Sequence, residues 1–268
     1  GWGASKAIID GSEIFSGWTK CSSQIDCNNP NWQNLYYATA PSVPLTLTSE
    51  TYPIAANLYQ GESLLFLAHD PNLPNPYLMY DDIQNYRVIP MISNRGGITY
   101  SIISTEIIDP TYFCPTPSSP NCDSNYYTNS WVSIHVYGNK IKTTKILSYS
   151  PTEHKITYDL AGKVPYDETD YDNHYLITNN LNILDTSGEY YFDEATRKVV
   201  LYPLNNENPE GKVTISSRTS GIYFGSKSNI DIEGFIIQKM TGDSTFEGSS
   251  ISKSRSATGN NYIIKNNE

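Results

Sequence analysis

Short apolar runs recur on a polar background toward the C-terminal end of the chain: KVTIS at 212–216, FIIQK at 235–239 and YIIKN at 262–266. Val213, Ile236 and Ile263 sit 23 and 27 residues apart. Turn-forming residues fill the gaps, among them Gly221, Gly225, Asn229, Gly234, Gly242, Gly248, Gly259 and Asn260. A period in the twenties built from short β-branched strands predicts a solenoid, in which each repeat buries its apolar side against its neighbours. With no helical period in the stretch, the prediction is a parallel β-helix with one coil per repeat.

Lys6-Ala7-Ile8-Ile9-Asp10-Gly11-Ser12 has the same form, yet 200 residues separate Ser12 from Lys212. That is too much chain for one coil, so a domain is expected between them. Its pattern is a series of short strands. Asn57–Ala68 reads as a hairpin turning at Gln60-Gly61-Glu62, and Trp131–Tyr137 alternates with period two as a half-buried strand. Lys140–Tyr149 and His154–Asp159 continue the series, and residues 70–77 and 109–130 read as loops. Gly188–Asp193 and Val199–Pro203 then form a hairpin around the polar loop EATRK. The fold class is all-β: a parallel β-helix, of which few coils are present, with an inserted β-sandwich or β-barrel domain. The expected divisions are 1–34 for the first coil and a disulfide loop, 35–165 for the insert, and 166–268 for the hairpin and continuing coils.

Composition narrows the function classes. The net charge is −10 and the pI about 4.8, which argues against sequence-independent binding to nucleic acid. No apolar run of 18 residues is present, so no membrane span is expected, and Gly1-Trp2-Gly3 has neither the basic start nor the apolar core of a signal peptide. Four cysteines allow three connectivities. Cys21 with Cys27 and Cys114 with Cys122 fall in two local pairs in polar stretches, and local disulfides are the first reading. A zinc site is the rival, although neither pair has C-x-x-C spacing. Disulfides imply an oxidising, extracytoplasmic location, secreted or at the cell surface.

The run Asn180–Pro203 (NLNILDTSGEYYFDEATRKVVLYP) resembles the "LD-x-x-GEWY-x-D…LYYYP" segment of right-handed parallel β-helix proteins of the pectate-lyase-like superfamily, in its carbohydrate-active glycosidase and lyase branch. Gly221–Ile237 (GIYFGSKSNIDIEGFII) resembles the coil that follows it in those proteins. Ile8-Ile9-Asp10-Gly11-Ser12 with Gly17-Trp18 resembles the "IDGS…GW" coil that precedes an inserted β-domain. Leu58–Asn72 resembles the "L-F-x-N-G-x-x-L-x-x-AR-x-PN" segment, with His69-Asp70 where an arginine and an aromatic are usual. These motifs specify architecture, and the same coils serve lyases, hydrolases, epimerases, phage spikes and adhesins.

What the resemblance implies is an extracellular polysaccharide-acting protein, a glycoside hydrolase or polysaccharide lyase, with a glycan as its partner. Hydrolases of this kind use paired carboxylates. Lyases use a Lys, Arg, His or Tyr base, with Ca²⁺ as the candidate cofactor for neutralising a uronate. The chain begins and ends inside coils, so it is expected to be an N-terminal portion without the catalytic coils. Glu233, Lys239, Asp243, Glu247 and Arg255 lie at coil turns and are the candidate substrate contacts; the competing reading is solvated turn charge. No catalytic residue is assigned. Asp167, Glu168, Asp170 and Asp172 form an acidic cluster that lacks the glycine and distal glutamate of an EF-hand. His69, His135, His154 and His174 are scattered without ligand spacing, and no protein metal site is assigned. Tyr36, Tyr37, Tyr126, Tyr127, Tyr190 and Tyr191 could stack on sugars, although half of each pair is expected in the core. The alternative function is a non-catalytic structural or adhesive surface protein that self-associates through open solenoid ends.

Overall fold

A computed structural model describes residues 6–41, 57–76, 87–88, 106–137, 140–158, 174–241, 250–253 and 258–268. The described residues are nearly all β. In chain order the strands are β1 (Ala7–Asp10), β2 (Ser12–Ile14), β3 (Thr19–Lys20), β4 (Tyr36–Thr39), β5 (Leu58–Gln60), β6 (Ser63–Leu67) and β7 (His69–Asp70). Next come β8 (Arg87–Val88), β9 (Glu106–Ile108), β10 (Trp131–Tyr137), β11 (Lys140–Ser150), β12 (Lys155–Tyr158) and β13 (His174–Thr178). The last are β14 (Glu189–Phe192), β15 (Lys198–Tyr202), β16 (Val213–Ser216), β17 (Ile222–Tyr223), β18 (Ile230–Glu233), β19 (Phe235–Gln238), β20 (Ile251–Ser252) and β21 (Tyr262–Lys265). The one α-helix among them, α1 (Gln24–Cys27), is a single turn.

An eight-stranded sheet runs β2-β16-β5-β6-β14-β15-β4-β3. Both hairpins expected from the pattern are in it: β5–β6 turns at Gly61, whose φ of 62° a side chain would resist, and β14–β15 pairs Glu189 with Tyr202. A seven-stranded sheet contains β7-β13-β10-β11-β12-β9, with β8 beside β13. Two apolar clusters fill the space on either side of the eight-stranded sheet. Tyr190, Phe192, Val199, Leu201 and Ala38 point into one, with Leu58, Leu65, Val213 and Ile215. Val200, Tyr37, Tyr191 and Tyr202 point into the other, because neighbours along a strand face opposite ways. There they meet Val132, Ile134, Tyr175 and Ile177 of the seven-stranded sheet and a ring cluster of Phe113, Tyr127 and Tyr149.

The expectation that Trp131–Tyr137 is half-buried is corrected. Residues 131–134 are buried on both faces, because β10 lies between β11 and β13 and serves both clusters.

Three further pairs are parallel: β1 with β19, β17 with β20, and β18 with β21. Ile222 aligns with Ile251, 29 residues on, and Ile230 with Tyr262, 32 residues on. These parallel pairs have a longer spacing and a different set of strands from the repeat read off the sequence. Val213 does not belong to it: β16 is antiparallel to both β2 and β5, placing Val213 against Gln60 and Ile215 against Leu58. A four-residue alternating strand carries no mark of whether its neighbours are parallel. The corners mark the true register. Asn229 and Asn261 both sit in the left-handed region (φ 59° and 60°), as do Gly234 and Asn266 (φ 80° and 57°), at matching places flanking the paired strands β18 and β21.

Candidate functional site

The cysteines form Cys21–Cys27 and Cys114–Cys122 disulfides, the local pairing. Cys21 and Cys27 are buried in the cluster between the large sheets, not set in an open loop. A capping box folds the segment they close: Ser23 accepts from the Asp26 amide, and the Asp26 carboxylate accepts from the Ser22 and Ser23 amides.

Two of the five candidate contacts lie among the described residues. Glu233 ends β18 with its side chain exposed. The Asn266 amide donates to it at 2.8 Å and the Lys265 ammonium lies 3.2 Å away, one coil on. These two partners hold its carboxyl below the usual range. Lys239 follows β19 in the left-handed region, with φ 58°. Its side chain is only 8 % exposed, and its ammonium donates to the Gly61 carbonyl at 3.0 Å and to Glu62 at 3.3 Å, over the Tyr59 ring. Asp10 lies 3.9 Å from it. Burial alone would raise the Asp10 carboxyl. Bonds from Gln238 and Ser12 and the nearby Lys239 charge outweigh that and leave it below its usual range. Lys239 thus braces the parallel β1–β19 pair against the β5–β6 hairpin. The backbones meet tightly here: a Cβ on Gly11 would lie 2.9 Å from the Lys239 carbonyl oxygen. Asp243, Glu247, Arg255 and the acidic cluster at 167–172 lie outside the described residues, as does the side chain of His135.

The six tyrosines proposed for sugar stacking all pack against the two clusters. Tyr127 and Tyr190 are fully buried, and Tyr36, Tyr37, Tyr126 and Tyr191 are half-buried. Lys20 and Lys198 further cover the Tyr36 and Tyr37 rings, at 5.6 and 4.5 Å from their centres.

The polar pair that sequence reasoning did not assemble is His69 with Glu189. Their side chains are 3 % and 2 % exposed, and Nδ1 lies 2.8 Å from Oε1. Burial works against the charged ring, but the bond to Glu189 and its charge prevail, so His69 is raised above its ordinary value. Glu189 is raised by burial, against the pull of His69. The departure at His69-Asp70 from the resembled segment was the one local signal; its partner lies 120 residues away. Acid–base hydrolysis of a glycoside needs one carboxyl held protonated and a second ionised, both open to substrate. Among the described residues Glu189 is the carboxyl held high, and it is sealed. No group of three or more His, Cys, Asp or Glu among the described residues could hold a metal ion.

No family model matches the chain, and no curated protein matches it by sequence. A solved structure described as a glycoside hydrolase superposes with a TM-score of 0.58 at 16 % identity. The match covers 90 % of this chain and 38 % of that one. At that identity the likeness is one of fold.

Proposed function

We propose that the chain is the coil-and-insert portion of an extracellular polysaccharide-acting protein built around a right-handed parallel β-helix, a glycoside hydrolase or a lyase. The observation that carries the reading is the fold likeness to a glycoside hydrolase over 90 % of the chain. The parallel pairs at 29- and 32-residue spacing support the β-helix part of it. The seven-stranded sheet, drawn from residues 69–178, supports an inserted module. The proposed divisions remain 1–34, 35–165 and 166–268, with β4, β5 and β6 of the middle stretch stitching into the same sheet as β14, β15 and β16. The two disulfides support secretion, and among the described residues no helix is long and apolar enough to cross a membrane.

Catalysis is placed on coils beyond those described, with Ca²⁺ as the cofactor in the lyase case. Glu233 is the sugar contact offered here, being exposed, ionised and flanked by the Asn266 amide. The test is release of reducing sugar or unsaturated uronate from a panel of acidic and neutral glycans by the full-length protein. Inactivity on every member would remove the enzyme reading. The second reading, a structural or adhesive protein, is favoured by one observation: Ile263 and Ile264 on β21 are both half-exposed, on a strand with one partner among the described residues. Filaments seen by electron microscopy would support it, and a strictly monomeric glycan-cleaving protein would exclude it.

A further inference from the structure

His69 and Glu189 stand at a crossing. Through β6 the chain belongs to the eight-stranded sheet, and through β7 to the seven-stranded one. Ala68 is the residue between. Its amide donates to the Tyr190 carbonyl of the first sheet at 2.7 Å, and its carbonyl accepts from Asn179, beside β13 of the second, at 2.8 Å. His69 and Glu189 close over this point from the two sheets. We propose that the pair is a proton-operated clasp: with the ring charged it locks the crossing, and with the ring neutral it leaves a buried carboxylate facing no cation and loosens the crossing and the loop to Leu73.

The geometry supplies two defined states. In both, Nδ1–H donates, to Glu189 Oε1 at 2.8 Å and toward the Leu67 carbonyl at 2.9 Å. Nε2 lies 3.0 Å from the Leu73 carbonyl oxygen and 3.1 Å from the Leu73 amide nitrogen. A charged ring donates to that carbonyl, and a neutral ring accepts from that amide. Loss of the proton therefore keeps the ring satisfied and moves its bond from one group of Leu73 to the other. The cost falls on Glu189, whose Oε2 has no partner among the described residues. A buried carboxylate without a cation is strongly disfavoured.

One further acidic group bears on the pair. Asp185, in the turn before β14, bonds Asn72 at 2.9 Å and pushes the Glu189 carboxyl up. Asp70 follows His69, and the half-buried Tyr112 and Tyr126, from the loop preceding β10, are raised by burial and further by its charge. The Glu189 charge favours the charged ring. The sign follows. A histidine raised above its unfolded value of 6.5 contributes stability that is fully present below pH 6.5 and is lost as pH rises through the folded value. The raised Glu189 also binds its proton more tightly when folded, so acid does not open the clasp. An ordinary buried ion pair with a depressed carboxyl would fail in acid; this one fails in base.

The test is the titration of the His69 ring by nitrogen–proton NMR in the intact protein, alongside amide hydrogen exchange from Ala68 to Leu73 between pH 6 and 9. The expected result is a midpoint above 6.5. Protection at 68–73, corrected for intrinsic exchange, should fall by up to about tenfold per unit of differential pKa, relative to β10 and β11. In Glu189→Gln the midpoint should drop, since only the Leu67 and Leu73 carbonyls then oppose burial. In His69→Arg, whose charge is permanent, the alkaline loss of protection should vanish. If either variant fails to fold, the wild-type titration decides alone: a midpoint at or below 6.5, or protection at 68–73 that tracks β10 at every pH, overturns the proposal.

Discussion

The two large sheets and the parallel coils use the same short strands to opposite effect. Between the sheets, Phe113 is fully buried, with the rings of Tyr112, Tyr127, Tyr149 and Tyr175 centred 5.1 to 6.0 Å away. In the parallel pairs, Ile232 of β18 is 4 % exposed, whereas its register partner Ile264 on β21 is 52 % exposed. The sheets close a core of their own, whereas on the proposed β-helix each coil would borrow its core from its neighbour. Stability in the first region should be cooperative, and in the second it should fall off coil by coil.

The sharpest way to break this comparison is Phe113→Ala. It empties the centre of the ring cluster and should cost ~3–5 kcal/mol of global stability in denaturant unfolding. Every backbone amide of the two large sheets should lose protection together. Loss confined to the segment around 113 would show that the cluster is not one cooperative core.

Next is the Cys21→Ala/Cys27→Ala double variant. The closed loop is short, so the chain-entropy effect is ~2–3 kcal/mol. Because both cysteines sit inside the sheet core, the loss should appear as a lower midpoint for the whole two-sheet region. A midpoint unchanged from wild type would mean that the disulfide staples only its own turn.

Ile232→Ala tests the other side. It removes the covered side chain of β18, and with a neighbour able to settle into the space the cost should lie at the low end for such truncations, ~2 kcal/mol. Hydrogen exchange should speed up in 222–265 and leave β10–β13 untouched. Equal loss in both regions would make the coils part of the same cooperative unit.

What was legible in the sequence follows the same line. Hairpins were readable because a turn such as Gln60-Gly61-Glu62 and the alternation on either side are local signals. The disulfides were readable from spacing. The tyrosine excess was visible but its use was not: a tyrosine on a strand reads the same whether its ring faces solvent or joins the cluster around Phe113. The coil register was misread because apolar doublets such as VTIS are not specific to parallel pairing, whereas the left-handed corners at Asn229 and Asn261 are. The joints between elements were not legible. Asn29 bonds the Leu181 and Leu184 carbonyls, Glu210 caps the Gly17 and Trp18 amides, and Asn179 pairs both backbone groups of Phe192, each through side chains that look like ordinary loop polars. Lys239, chosen as a turn charge open to substrate, is one of these joints. Glu233, by contrast, is exposed.

The smallest expected effect is the most specific to the coils. Asn261 donates to the Asn229 side chain at 3.0 Å, and the two occupy the same left-handed corner one coil apart. Asn261→Ala removes the bond and puts a residue with no local polar group into a backbone region that favours Asn and Gly. The bond contributes about 1 kcal/mol, and the lost left-handed preference adds roughly 1 kcal/mol more. Asn261→Gly keeps the backbone preference and loses only the bond, so the difference between the two variants separates the terms. If the corner sets the coil register, both should lower protection at Ile230 and Ile232 while the sheets stay fixed, with Ala the larger. If Gly proves as damaging as Ala, the side-chain ladder and not the left-handed turn holds the coils in step.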